Sequence, residues 1–317
     1  MKVVMINDCA FVGETLLKYM PDYVDKMHIK RTRGFWNKTF GLAYNILRAT
    51  GDIYHVHYLL QDCYLATFFR KKPLIGHAHG SDLREVIKTR KWGWIVRHNL
   101  QHCDKILVAQ PTILDIAKSY NNTAEYFPIP YDPEIFYPKP LCENRKEKVI
   151  LIASPQDFKV KGTDKFLYAC TKVKVPFELR IIGYGKDLEK AKVLIKKLGL
   201  KATILSKVPH EHMNRLYWEA NLVLGSFGIG QLDTVAIEAM ACGRPVIHHI
   251  LKEYFPSCPL QELKSIDHAA ELINAILTDK REAEELRRKQ LEYVSTHHNA
   301  INLVEKLLQI YKHTVKS

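Results

Sequence analysis

A chain of 317 residues is long for one hydrophobic core and suits two domains of about 150 residues each. Its 47% hydrophobic content, with no low-complexity run, excludes a disordered protein. Lys and Arg outnumber Asp and Glu by 47 to 34, and the resulting charge of +13 attracts phosphate-bearing partners. The motifs of RNA readers are missing, so nucleic acid is not expected among them.

The N-terminus, MKVVMINDCAFVGETLL, reads as a short buried strand and a turn, without the long apolar core of a signal peptide. No apolar run reaches the ~20 residues that span a bilayer, so the expectation is a cytoplasmic protein whose membrane contact is peripheral. The seven cysteines, Cys9, Cys63, Cys103, Cys142, Cys170, Cys242 and Cys258, are odd in number and form no Cys-x2-Cys pair, the usage of reduced thiols.

Short β-branched or apolar runs at 2–6, 52–57, 73–77 and 105–109 alternate with segments of helical period, the pattern of a parallel sheet. A second series follows at 148–153, 178–183, 202–205, 221–225 and 245–248. Five prolines between Pro128 and Pro140, then a charged stretch, interrupt both periodicities and place the junction near Leu141. The expected domains are therefore 1–141 and 142–296, with a helix at 297–317 that returns to the first. After Ile266 the pattern is helical to the end. The fold class is α/β, two Rossmann-like domains facing a cleft, with ligands expected beyond the carboxyl ends of the strands.

In the first half, GDIYHVHY and KPLIGHAHGSDLRE bring His55, His57, His77 and His79 to the ends of adjacent expected strands. They have neither carboxylates at tight spacing nor helical His-x3-His spacing, so no metal site is expected. The stretch REVIKTRKWGWIVRHNL, from Arg84 to Leu100, reads as a helix mixing Lys88, Arg90, Lys91 and Arg97 with Trp92 and Trp94. That mixture suits an anionic membrane surface, and equally an amphipathic helix that packs its tryptophans inward.

The second half carries the clearer chemistry. In GSFGIGQLDTVAIEAMACGRPVI, residues 225–247, Gly225, Gly228 and Gly230 follow an apolar strand and precede a helix that Asp233 or Thr234 can cap. Such a turn presents backbone N–H groups to a phosphate or sugar. Glu238 is the one ionisable side chain of the apolar helix VAIEAMACG and needs hydrogen-bond donors. A pair of ribose hydroxyls would supply them, as would a neighbouring basic side chain or a backbone amide. In SPQDFKVKGTDKF, Lys161 precedes Gly162 and Thr163 at a helix start, where a lysine can hold a diphosphate.

The run from Glu238 to Val246 resembles the E-A-M-A-x-G-x-P-V element of the retaining glycosyltransferases of the GT-B fold, family four. The resemblance covers most of the chain and is strongest over 145–250. It implies a retaining, nucleotide-sugar-dependent hexosyltransferase that needs no metal or other cofactor. The implied acceptor is a glycan or lipid-linked precursor of the cell envelope, met in the cytoplasm or at the inner face of the membrane. It assigns catalytic roles to His79, over the donor sugar, to Lys161, on the diphosphate, and to Glu238, on the ribose. Donor contacts carry over to Gly183, Gly185, Val208, Pro209, Gly228, Ile229, Gly230, Gln231, Asp233 and Thr234, and an acceptor or phosphate contact to Gly13. Two positions depart from the family: its first Glu falls on Gly230, and its Arg before the lysine falls on Gln156. Those departures keep open a second expectation, a GT-B sugar-nucleotide or glycan binding protein that has lost turnover.

Overall fold

The computed structural model describes residues 1–31, 40–141 and 147–316. It contains two compact units, Met1–Pro130 with Asn299–Ser317, and Tyr131–His298.

The first unit is built on six parallel strands, β1 (Lys2–Ile6), β2 (Asp25–Ile29), β3 (Ile53–His57), β4 (Leu74–Ala78), β5 (Lys105–Val108) and β6 (Glu125–Tyr126), in the order β2-β1-β3-β4-β5-β6. The inner strands β3 and β4 are buried along their whole length, as crossover helices on both faces require. Register sets Met5 opposite His55 and His57 opposite His77, so β3 and β4 bring their imidazoles together beside the methionine of β1. The C-terminal helix Ala300–Lys316 belongs to this unit and packs on the helix Val12–Tyr19 through a buried stripe that includes Leu303, Leu307 and Tyr311.

Two strands escaped the sequence reading. β2, with the sequence DKMHI, is an edge strand whose first two residues are exposed, and β6 is only two residues long. The expected single helix from Arg84 to Leu100 is also corrected. It is a short helix Ser81–Arg84, a 3₁₀ turn Val86–Lys88 and a helix Gly93–His102. Thr89 breaks it: its hydroxyl accepts from the Trp92 N–H, and its carbonyl accepts from the Gly93 N–H. A Cβ on Gly93 would lie 2.3 Å from the Ile87 carbonyl oxygen, so only glycine lets the chain turn back here.

The second unit holds five parallel strands, β7 (Lys148–Ile152), β8 (Phe177–Ile182), β9 (Ala202–Leu205), β10 (Leu222–Leu224) and β11 (Val246–Ile247), ordered β11-β10-β7-β8-β9. The buried amide of Gln290 lies along β11, donating to the Val246 carbonyl at 2.7 Å and accepting its N–H at 2.9 Å. A side chain thus continues the ladder at that edge.

The boundary between the units falls after Pro130 and not near Leu141. The prolines interrupt periodicity, but side chains of the second unit bind this segment's carbonyls. Trp218 Nε1 donates to Tyr137 at 2.8 Å and Asn214 to Ile135 at 2.9 Å, and the fully buried Arg244 guanidinium donates to Lys139 and Pro140. The 142 end of the expected cut, and Cys142 with it, lies outside the described residues. The other six cysteines are free thiols.

Candidate functional site

In the second unit, two loops at the carboxyl ends of β7 and β10 are stitched together. The Lys161 carbonyl accepts from the Phe227 N–H at 2.7 Å and from the Ser226 hydroxyl at 3.2 Å. The contact is tight enough that a Cβ on Gly228 would lie 1.8 Å from the Val160 carbonyl oxygen. Gly162 turns the first loop into its helix at φ 61°, in the left-handed region. The Lys161 ammonium then reaches Asp233, with Nζ 2.5 Å from Oδ2.

Asp233 is the N-cap of the helix Thr234–Ala241, its Oδ1 accepting from the Ala236 N–H at 3.0 Å. Burial raises its pKa, but the Lys161 ammonium outweighs that and holds the carboxyl at about 2. His248 is buried with its proton placed by its partners. Nδ1 accepts from the Ser226 N–H at 2.9 Å, so Nε2 donates to the Gln231 carbonyl at 2.7 Å. Burial lowers its pKa, and it is a neutral pin beneath the glycine loop.

Glu238 lies one turn further along the same helix, 3% exposed. His210 Nε2 lies 2.5 Å from Oε1, and the Tyr217 hydroxyl donates to Oε2 at 3.2 Å. Burial raises the Glu238 pKa, against the pull of His210. Burial disfavours the His210 cation, yet the bond to Glu238 and its charge carry the His210 pKa upward. The pair shares one proton between a buried acid and a half-buried base. Glu238 therefore has its donors inside the protein, from a histidine and a tyrosine that its own segment does not reveal.

The structure groups most of the sequence-predicted donor residues in these loops. Gly183 and Gly185 flank Tyr184 after β8, and a Cβ on Gly185, at φ 117°, would lie 2.3 Å from the Gln156 nitrogen. Tyr184 was not anticipated. Burial, with the charges of Asp233 and Glu238, pushes its phenol up to about 12, and its hydroxyl donates to the Ala153 carbonyl at 3.5 Å. Val208 and Pro209 lead into the turn that carries His210. Ile229 is 38% exposed at the tip of the glycine loop, while Gln231 is buried and Thr234 opens the helix. Gln156, at the family's arginine position, is fully buried; its Nε2 donates to the Ser154 carbonyl at 3.3 Å, and its Oε1 has no partner among the described residues. Lys159 is exposed, with its backbone tied to Asp157.

In the first unit, His55, His57 and His77 are fully buried and His79 is half-buried. His55 and His57 stack with ring centroids 4.7 Å apart, and His77 and His79 at 4.6 Å. His55, His57 and His77 each bring a nitrogen within 4.8 Å of the others. Most of these nitrogens are spent on neighbours, His55 on Tyr311 and His77, His57 on His79 and Met5, while His77 Nε2 is buried with no hydrogen-bond partner among the described residues. Burial holds His55 and His79 down at about 3, so the column is neutral. Asp82 fixes the His79 loop, accepting from the N–H groups of His79, Gly80 and Leu83. Gly13 lies in the first turn of its helix, where a Cβ would stand 2.9 Å from His57 Nε2. Its missing side chain makes room for that ring.

Two parallel α/β sheets, each with its functional loops at the carboxyl ends of the strands, define the GT-B class, and solved structures agree. A sucrose-phosphate synthase from Thermosynechococcus elongatus superposes with TM-score 0.75 at 16% identity over 99% of both chains. HepE from Anabaena, solved with UDP and glucose, gives TM-score 0.76 at 13% identity over 99% of this chain and 100% of its own. The lipopolysaccharide outer core galactosyltransferase WaaB gives 0.65 at 14% identity over 99% of this chain and 100% of its own. Residues 139–295 match the family of glycosyl transferases group 1, and the protein belongs to that family. No curated protein matches the chain by sequence.

Two predictions follow from this geometry. Gly230 has φ 68°, and a Cβ there would lie 2.6 Å from Leu251 Cγ. Restoring the family's acid with Gly230→Glu is therefore expected to destabilise the fold by about 2 kcal/mol, partly recovered in a Leu251→Ala background. Thermal unfolding reads this, and an unchanged Tm for Gly230→Glu would contradict it. The second concerns His210, whose pKa rises on folding. Its stabilisation is complete below the unfolded value of 6.5 and is lost as pH climbs through the higher folded value. The Tm gap between wild type and His210→Gln should therefore be widest below that pH and narrow above it. A gap that does not change with pH would show that the pair carries no proton-linked stability.

Proposed function

We propose that the protein transfers a hexosyl group from a nucleotide sugar to a glycan or lipid-linked acceptor, with retention of configuration and without a metal or other cofactor. The observation that carries this reading is one helix, Thr234–Ala241. It holds Lys161 at its N-terminus through Asp233 and presents Glu238 one turn later. A cation for a diphosphate and a carboxylate for a ribose are thus held by one helix. HepE, a structural neighbour, was solved with UDP and with UDP-glucose, which favours a UDP-sugar.

In this reading Lys161 and the N–H groups of Ile229 and Gly230 take the diphosphate, assisted by Gln231 and Thr234, while the Gly228 N–H donates to the Ser226 hydroxyl at 3.3 Å and braces the turn. Gly183, Gly185, Val208 and Pro209 bound the base and ribose. As the bond from the anomeric carbon to the phosphate oxygen breaks, the acceptor oxygen bonds to that carbon on the same face. The acceptor's proton passes to the departing diphosphate. The enzyme's part is charge stabilisation and positioning. His79 meets a hydroxyl of the sugar.

A second reading, binding without turnover, is favoured by one specific pair of residues. Gln156 supplies an uncharged amide where a second cation would help the leaving group, and Gly230 supplies no acid. A thermal-shift panel of UDP, GDP, ADP and their sugars tests the first step. One nucleotide is expected to raise the Tm of wild type, with the shift lost in Glu238→Gln. Silence across the panel from a folded wild type would sink the transferase reading and leave the glycan binder, whereas a shift without release of nucleotide diphosphate in the presence of acceptors would select the sugar-nucleotide binder.

Membrane contact is part of the same proposal, with the acceptor met at the inner face of the membrane. Among the described residues no helix is long and apolar enough to cross a membrane. The surface of the first unit nevertheless exposes 48% of Trp94, 36% of Trp92 and 67% of Phe68. Lys88, Arg90 and Lys91 are exposed beside them, and Lys91 Nζ lies 5.1 Å from the Trp92 ring. Exposed aromatics rimmed by lysine and arginine suit an anionic interface. Sedimentation with phosphatidylglycerol-containing vesicles should capture the wild type, with binding reduced about tenfold in Trp92→Ser/Trp94→Ser. Equal binding by the two, or none by either at low salt, would count against it.

A further inference from the structure

The hydrogen bonds behind His79 decide what that residue can recognise. His57 Nε2 lies 3.0 Å from the sulfur of Met5, inside the sheet on β1. A thioether has no proton to give, so the bond exists only if His57 carries its proton on Nε2. His57 is neutral, because burial and the neighbouring imidazoles lower its pKa. Its Nδ1 must then be a lone pair. That Nδ1 lies 3.0 Å from His79 Nε2, so His79 is the donor of this second bond and carries its proton on Nε2. A neutral His79 has no other proton. Its Nδ1 is a lone pair on a half-buried side chain, with no partner among the described residues.

We infer that Met5 and His57 are positioning residues that lock His79 into the Nε2–H tautomer, so that His79 can only accept a hydrogen bond, and its ligand group is a hydroxyl and not a phosphate oxygen. A phosphate oxygen offers lone pairs and would meet the lone pair of Nδ1. A sugar hydroxyl offers a hydrogen and fits. The surroundings hold this arrangement. Register places Met5, His57 and His79 on three adjacent strands or the loop that follows them, Gly13 leaves the space His57 occupies, and Asp82 binds the His79 N–H at 3.2 Å. The recognition this assigns is strict. A donor whose hydroxyl at that position is replaced by fluorine or hydrogen cannot donate, and is discriminated against. The inference about the substrate rests on the transferase reading; the inference about the tautomer does not.

The test separates the two. Nitrogen NMR of histidine-labelled full-length protein distinguishes a protonated ring nitrogen from a bare one, with His79 assigned by its absence in His79→Gln. The wild type is expected to show His79 protonated at Nε2 and bare at Nδ1, and the opposite pattern would overturn the proposal whatever the activity. Met5→Leu keeps the packing but removes the sulfur, and should populate both tautomers of His79. His57→Phe should lower kcat about tenfold while leaving the Tm shift by free nucleotide unchanged, and His57→Gln, which keeps an acceptor, should recover most of that loss. Wild-type turnover in His57→Phe would overturn the role in recognition. Should no nucleotide sugar be turned over at all, the transferase reading fails while the NMR still decides the tautomer.

Discussion

The carbonyl oxygen of Lys161 is the joint on which the second unit's site depends. By accepting from both Phe227 and Ser226 it holds the loop after β7 against the loop after β10. The close approach needs a glycine on the far side, and Gly228 supplies it, since any Cβ there would run into Val160. With the backbone fixed, the lysine side chain is placed on Asp233, and Asp233 in turn caps the helix that carries Glu238. One hydrogen-bonded carbonyl therefore sets the distance between the cation and the second carboxylate. The Lys161–Asp233 pair is 22% and 17% exposed, shielded enough to hold Asp233 ionised but still in reach of solvent.

The two units handle buried polarity in opposite ways. The second unit keeps ionised groups and pairs them: Lys161 with Asp233, and Glu238 with His210. The first unit has a column of imidazoles with no carboxylate among them, which could not be charged at such depth without a large penalty. It stays neutral, with His55 bonded to Tyr311 and a directional chain of single protons running from His79 through His57 to Met5. A neutral chain fixes orientation and tautomer without charge, which suits recognition of an uncharged sugar hydroxyl.

Much of this was legible because parallel strands buried on both faces read as short apolar runs. The inner strands β3, β4, β7, β8 and β10 all stand where those runs lie. β2 was hidden because its exposed start, Asp25 and Lys26, reads as loop. The long helix expected after Arg84 failed on a steric detail, the approach of Gly93 to the Ile87 carbonyl, which leaves no trace in periodicity. Glu238 stood out as a lone acid in an apolar helix, and Lys161 and the glycines as a turn. Their partners did not stand out. His210 and Tyr217 come from other segments, and their closeness to Glu238 is created by folding alone.

The departure at Gly230 is best understood as a change of backbone and not as the loss of a side chain. A left-handed φ of 68° and a Leu251 side chain packed where a Cβ would project belong together, and the Leu251 N–H completes the set by donating to the Gly230 carbonyl at 3.0 Å. A glutamate could not be accommodated at this site by a point change, because Leu251 and its segment are built around the missing Cβ. What the loop gains is a tight turn that brings the Gln231 carbonyl over His248 and so fixes that ring's proton. Ring and loop then hold each other: His248 accepts from Ser226 on one side and donates to Gln231 on the other, clamping the two ends of the glycine turn. In the proposed transfer, a rigid array of backbone N–H groups would stabilise developing negative charge without reorganising, a contribution a carboxylate at this position could not make.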